Sequence, residues 1–322
     1  MKGVARAVLG DIPADQLGVT YAHEHVILDC PLVEDRFPDI LLNDVAAAAA
    51  ELSDCAAAGV GCVVDAMPCG IGRDPVRLAE ASRRSGVAII ATTGLHTRRW
   101  YPGLSWANEA DSDILAGLFI ADLEDGIDRY DYRGPVIERT EHRAGLIKVG
   151  TLQEKFNARD RRVFAAAAAA HSATGAPILT HCEEGRGGME QVEVLVDLGV
   201  EPARVVLSHT DKVDDFGYHL DLVATGVNLE YDQALRYPID EGNHTVRLVA
   251  EAATVGYAGQ VMVGTDGARR SMWRAYGGAP GLAALVLDVV AVLTRLGVDG
   301  AAIAQILRSN PARFFSFSEV AA

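Results

Sequence analysis

The chain is poor in cysteine, in aromatic residues and in positive charge. Its five cysteines (Cys30, Cys55, Cys62, Cys69 and Cys182) are odd in number and form no CxxC pair. That argues against a disulfide framework and makes a reducing, cytoplasmic setting the expectation. Acidic residues outnumber basic ones by 44 to 29, for a net charge of −15. Nucleic-acid binding needs a basic face, so no nucleic-acid partner is expected. Long apolar runs are lacking too. The most apolar late stretch, from residue 281, is broken by Asp288 and Arg295 and reads as a buried helix rather than a membrane span. The opening residues contain no apolar signal core, so no secretory leader is expected. No proline- or serine-rich linker interrupts the chain, and one domain over 1–322 is expected. No glycine-rich phosphate turn follows the first strand, which counts against a doubly wound sheet.

What is present is a repeated unit. Short β-branched runs at 18–26, 59–67, 87–95, 145–150, 176–184, 204–211, 226–232 and 260–267 alternate with longer helical stretches. Hydrophobic residues make up 49% of the chain, enough for a sizeable core. Eight strand–helix units predict an α/β fold, a (β/α)8 TIM barrel. The first 17 residues read as a β-hairpin extension capping the bottom or rim, and extra C-terminal helices after 280 are expected to close the far end. The alanine runs at 46–50 and 165–170 read as tight helix-packing faces.

The polar residues of these runs fall at their C-terminal ends, which form the active-site face of such a barrel. His23 and His25 lie two apart, so strand alternation turns both inward and Glu24 outward. Two imidazoles on one face are a natural half-site for a divalent metal, although an HxH pair alone is equally two incidental histidines. His181 and His209 end the fifth and sixth runs, and either alone reads as a hydrogen-bonded core histidine. Asp266 ends the eighth run, where a buried carboxylate needs a partner or a metal. Lys148 lies inside the apolar run Leu146-Ile147-Lys148-Val149. An edge strand or a salt bridge to Asp266 would explain it. So would a depressed amine pKa, which permits reaction with carbon dioxide to give a metal-bridging carbamate. His142, His171 and His219 read as structural or solvated.

The order HxH, Lys, His, His, Asp on successive strand ends resembles the phosphotriesterase family of the amidohydrolase superfamily. The stretches TYAHEHV, RAGLIKVG, PILTHCEEG, VVLSHTD and VGTDGARRSMWRAYGGAP carry the resemblance across residues 18–280. It implies a metal-dependent hydrolase with two divalent ions, zinc first and manganese or cobalt as alternatives. One ion would be held by His23, His25 and Asp266 and the other by His181 and His209. N6-carboxylysine at Lys148 and a hydroxide would bridge them. Asp266 and Lys148 would then be the catalytic residues, with Asp266 taking the proton of the attacking hydroxide. The family includes organophosphate triesterases, lactonases and phosphorylated-sugar lactonases.

The substrate must be read from the loops. Arg98, Arg99, Arg186, Lys212, Arg269 and Arg270 follow the strands as a basic excess in an acidic chain. Arginine forks suit carboxylate or phosphate, while pairing with Glu183, Glu184, Asp211, Asp214 or Asp215 is the plainer alternative. His96 is expected to line the substrate side and Trp100 and Tyr101 to wall the pocket, with structural packing the alternative for all three, and Asp65 to support the ligands. Tyr276-Gly277-Gly278 would let a loop approach the ligand, or is equally a plain turn. Cys182 should point away from the site by alternation. The leading expectation is a lactonase for a small-molecule substrate, an anionic sugar lactone, with its phosphorylation left open. A phosphotriesterase proper is the first alternative. A binding protein with a relic metal site is the alternative from another class. A homodimer is the commonest symmetric state, though no patch marks one.

Overall fold

The computed structural model describes residues 3–152 and 155–318. Met1, Lys2, Gln153, Glu154 and residues 319–322, all within the expected 1–322 span, lie outside the described residues. The chain opens with an antiparallel hairpin, β1 (Val4–Ala7) and β2 (Gly10–Pro13). Eight strands follow: β3 (Val19–Glu24), β4 (Val60–Asp65), β5 (Ala88–Gly94), β6 (Leu146–Thr151), β7 (Ile178–Cys182), β8 (Val205–Ser208), β9 (Asn228–Tyr231) and β10 (Val261–Val263). They pair in parallel in chain order, each within a run marked in the sequence or one residue past its end. Helices between them lie outside, for example Val45–Ala57, Pro75–Ser85 and Ala158–Thr174. Their ends follow local chemistry. The carboxylates of Asp44 and Asp74 cap the first two, and Gly175 in a left-handed conformation (φ 76°) ends the third. Ala166, Ala167, Ala168 and Ala170 are buried in that helix, as the alanine run required.

The barrel closes between β3 and β10. Thr265 N and Asp266 N donate to His23 O at 3.2 and 3.1 Å. Gly264 permits this approach, because a Cβ there would lie 2.7 Å from His23 N. The Glu24 carboxylate ties the seam by accepting from Thr265 N (2.8 Å), Thr265 Oγ1 and Gly267 N (3.3 Å).

Ala22, Cys62, Val64, Ile90, Leu146, Leu179, Val206 and Met262 fill the lower barrel interior together with Ala5, Leu17, Phe314 and Phe315. The hairpin therefore caps the bottom. The C-terminal segment corrects the expectation that it closes the far end. Its helix Asn310–Phe314 places Phe314 and Phe315 in the same plug as the hairpin. The helical stretch from 285 to 295 buries Leu285, Val289, Val292 and Leu293 but leaves Leu287 53% exposed, so it is an outer-layer helix with one buried face. Among the described residues no helix is long and apolar enough to cross a membrane, and all five cysteines are free and buried.

Candidate active site

Above the apolar plug the interior changes character. Moving two residues up β6 and β7 converts Leu146 to Lys148 and Leu179 to His181, so simple alternation delivers both side chains to the mouth. Alternation does not deliver His23 or His209. Ala22 faces the interior, which should turn His23 outward. A register irregularity between Tyr21 and Glu24 in the β3–β4 ladder brings His23 inward. Val206 faces inward as well, and His209 reaches the site by taking a left-handed conformation (φ 63°) just past β8. Asp266, of the same parity as the inward-facing Met262, is also left-handed just past β10 (φ 43°). Such non-glycine conformations are strained and concentrate where a side chain has to be aimed.

The result is a cluster of buried imidazoles. His23 lies 5.4 Å from His25 and 4.8 Å from His209 between ring centroids, and His181 lies 4.6 Å from His209. Burial holds His23 and His181 well below the usual histidine pKa, so both are neutral. Lys148 Nζ is buried 3.1 Å from His23 Nε2. Burial pushes its pKa down to about 8 against the pull of Asp266. Burial alone would raise the Asp266 carboxyl, but the Arg236 guanidinium, at 2.5 Å from Oδ2, holds it well below the usual carboxylate range. His25 Nε2 is 3.3 Å from the other Asp266 oxygen.

Sequence reading missed the residues that orient this cluster. Asp232 receives His209 Nδ1, its two oxygens lying 2.9 and 2.8 Å away. Glu230 Oε2 lies 3.2 Å from His23 Nδ1. Both acids sit in or just past β9, whose run carried no histidine to draw attention. Arg236 follows in the next turn and also donates to Asp266 O at 2.8 Å. Asp65 supports the site as expected, accepting from the backbone of Val26, Ile27 and Met67.

Two observations bear on whether this set suits a metal. His25 Nδ1 and His181 Nδ1 are buried without a hydrogen-bond partner, and ligand atoms of His23, His25 and Asp266 lie within 4.8 Å of one another. Neutral imidazoles beside an ionised carboxylate, with ring nitrogens left unsatisfied, form a donor set that divalent ions take.

A cavity of about 430 Å³ opens over the cluster, within the range of small-molecule sites. Arg99, Lys212, Arg269, His96 and Trp100 line it as expected, along with Arg236 and Gln233, which were not. Leu28, Val33, Phe37, Ile40, Met67 and Ile71 form an apolar wall. Other expectations fail. Arg98 is exposed and does not reach the cavity. Arg270 donates to Leu41 O (2.5 Å) and Asn43 Oδ1 (2.7 Å) and covers the Tyr276 ring at 4.7 Å, so neither residue touches the cavity. Gly278 approaches Ser271 and Arg270 rather than a ligand. Tyr101 is a packing residue whose hydroxyl joins His96 N to Cys69 O. Arg99 is at once a cavity residue and a rim ion pair, 3.1 Å from Glu183. Cys182 faces Gln191, away from the cluster. His142, His171 and His219 bind the backbone carbonyls of Val8, Ala176 and Val213.

Known proteins resemble the chain over nearly its whole length. The chain is 31% identical to a phospho-furanose lactonase of Mycoplasmopsis synoviae (strain 53), over 98% of this chain and 92% of that one. It is 28% identical to an aryldialkylphosphatase of Saccharolobus solfataricus, over 95% and 97%. The crystal structure of an amidohydrolase from Mycoplasma synoviae superimposes with a TM-score of 0.93 at 30% identity, covering 99% of this chain and 94% of that one. Residues 4–315 match the sequence family described as Phosphotriesterase family, and the chain belongs to that family.

Proposed function

We propose that the protein is a binuclear metal-dependent lactonase that opens an anionic, phosphorylated sugar lactone. The cavity's charge carries this reading. In a chain of net charge −15 it gathers Arg99, Lys212, Arg236 and Arg269 around one carboxylate, Asp266. Arg236 and Arg99 already have acidic partners. Lys212 and Arg269 make no ion pair among the described residues, so they supply the charge for a phosphate. The phospho-furanose lactonase relative supports the same substrate class.

His23, His25 and Asp266 would hold one ion, His181 and His209 the other, and Lys148 both, as its carbamate. Zinc is the first choice for this nitrogen-rich set. When bound, the ions acidify a water and polarise the substrate carbonyl. The protein's own residues do the rest. The Lys148 amine, low in pKa through burial, loses a proton and attacks carbon dioxide. Asp232 and Glu230 fix the ring orientations of His209 and His23. The Asp266 carboxylate accepts the proton of the attacking water and hands it to the departing ring oxygen.

The test is steady-state turnover of pentono-1,4-lactones with and without a 5-phosphate, in zinc- or manganese-loaded enzyme. The phosphorylated lactones should be preferred, and Lys212→Ala and Arg269→Ala should each raise their KM about tenfold, the loss of one charged hydrogen bond. Efficient turnover of paraoxon with no lactone opening would overturn the reading. That outcome would favour the second reading, a phosphotriesterase, for which the apolar wall of Leu28, Val33, Phe37, Ile40 and Ile71 speaks.

A further inference from the structure

The adjacent arginines 269 and 270 have separate tasks. Arg269 lines the cavity, whereas Arg270 turns away to grip the segment running from Asp29 to Asn43. That segment supplies Val33, Phe37 and Ile40 to the apolar wall. Its two ends are well anchored. Leu28 and Leu42 exchange backbone hydrogen bonds of 2.9 and 3.0 Å, and Asp29 is held by Gly72 O, Arg77 and Arg133. Between those anchors little is buried. Residues 34–39 are all exposed, Phe37 by 44%. A stretch with so few buried contacts has low local stability and takes its position from whatever holds it.

The loop after β10 holds it, together with a ring contact between Phe37 and Trp100 at 5.6 Å between centroids. The Asp39 carboxylate accepts from Ser271 N (3.1 Å) and Ser271 Oγ (2.9 Å), next to the two bonds from Arg270. The loop itself is firmly rooted. The buried Trp273 donates to Gly267 O at 2.6 Å. The buried Glu51 carboxylate accepts from Ala275 N at 3.0 Å and Leu282 N at 2.8 Å. The loop is therefore a fixed post and the 37–43 segment a strap tied to it.

We propose that Asp39, Ser271 and Arg270 form a positioning clasp that sets substrate selectivity, by holding the apolar wall of Phe37 and Ile40 at a fixed separation from Arg269. A lactone seated against the wall then has its anionic group within reach of that arginine only while the clasp is made. The substrate named here rests on the lactonase reading; the clasp itself does not.

The test uses the metal-loaded full chain as wild type, Asp39→Ala and Asp39→Asn, with hydrogen exchange and the paired pentono-1,4-lactones as probes. Asp39→Ala removes both bonds to Ser271. Exchange in 37–43 should quicken about 5- to 20-fold while 267–282 is unchanged. KM for the 5-phosphate should rise by a similar factor with kcat within about twofold, and the preference over the unphosphorylated lactone should shrink accordingly. Asp39→Asn should behave as wild type, because its amide can accept from Ser271 N and donate to Ser271 Oγ. Unchanged selectivity in Asp39→Ala, or an Asp39→Asn variant as impaired as Asp39→Ala, would overturn the proposal. If wild type opened neither lactone, the lactonase reading would fall, and exchange in 37–43 would alone decide the clasp.

Discussion

Replacing Arg236 by Met separates the two partners available to Asp266, an arginine and a metal. The Arg236 guanidinium lies 2.5 Å from Asp266 Oδ2, with side-chain exposures of 20% and 14%. Removing one member of a buried pair costs about 3–5 kcal/mol, because the other charge is left uncompensated. Partial exposure here reduces that to about 2–3 kcal/mol. For a chain of 322 residues, at about 2 cal/mol/K of unfolding entropy per residue, the melting temperature of the metal-free protein should fall by about 3–5 °C. If Asp266 is a metal ligand, a bound dication supplies the missing charge. The variant should then lose under about 1 kcal/mol when loaded, and added metal should raise its melting temperature more than it raises that of wild type. Thermal unfolding with zinc and with chelator measures all four values. An equal loss with and without metal would show that Asp266 does not bind one, and the ligand assignment would fail.

Lys148→Ala should lose most bound metal and most activity, since it deletes the group proposed to bridge the ions; full metal content by elemental analysis would refute the carbamate. Reconstitution of metal-free wild type at fixed carbon dioxide pressure should quicken with pH. With a pKa of about 8, the reactive neutral amine is about 3% of the total at pH 6.5 and about three quarters at pH 8.5; a rate flat across that interval would exclude the amine as the reacting form. Glu24→Ala should cost about 3 kcal/mol by urea unfolding, because Thr265 N, Thr265 Oγ1 and Gly267 N lose their acceptor at the seam. A cost below about 0.5 kcal/mol would mean that the seam is held by its backbone bonds alone.

The barrel was legible because its signal is local and repeated. Each strand run was apolar, β-branched and bounded by turn residues, and its polar residues gathered at one end. Lys148 and His181 lie on strands where alternation from Leu146 and Leu179 carries them to the mouth. The orienting acids were not legible. Glu230 and Asp232 look like ordinary charges in sequence, and only the neighbouring strand shows that they back His23 and His209. The loops failed most, since a loop arginine carries no periodicity to say which way it points. Arg269 and Arg270 are identical in type and adjacent, yet one meets the cavity and the other the strap.

Sequence alone therefore determined the barrel and the lack of a disulfide framework, since strand periodicity and cysteine content are written along the chain, while the six clustered residues stood out as one set through the family resemblance they carry. Tertiary structure decided how four of those residues reach one point. A register irregularity, two left-handed residues and the seam at Gly264 arise from strands packing against one another. It also decided which basic residues face a substrate, because a long flexible side chain takes its direction from the partners that folding brings within reach.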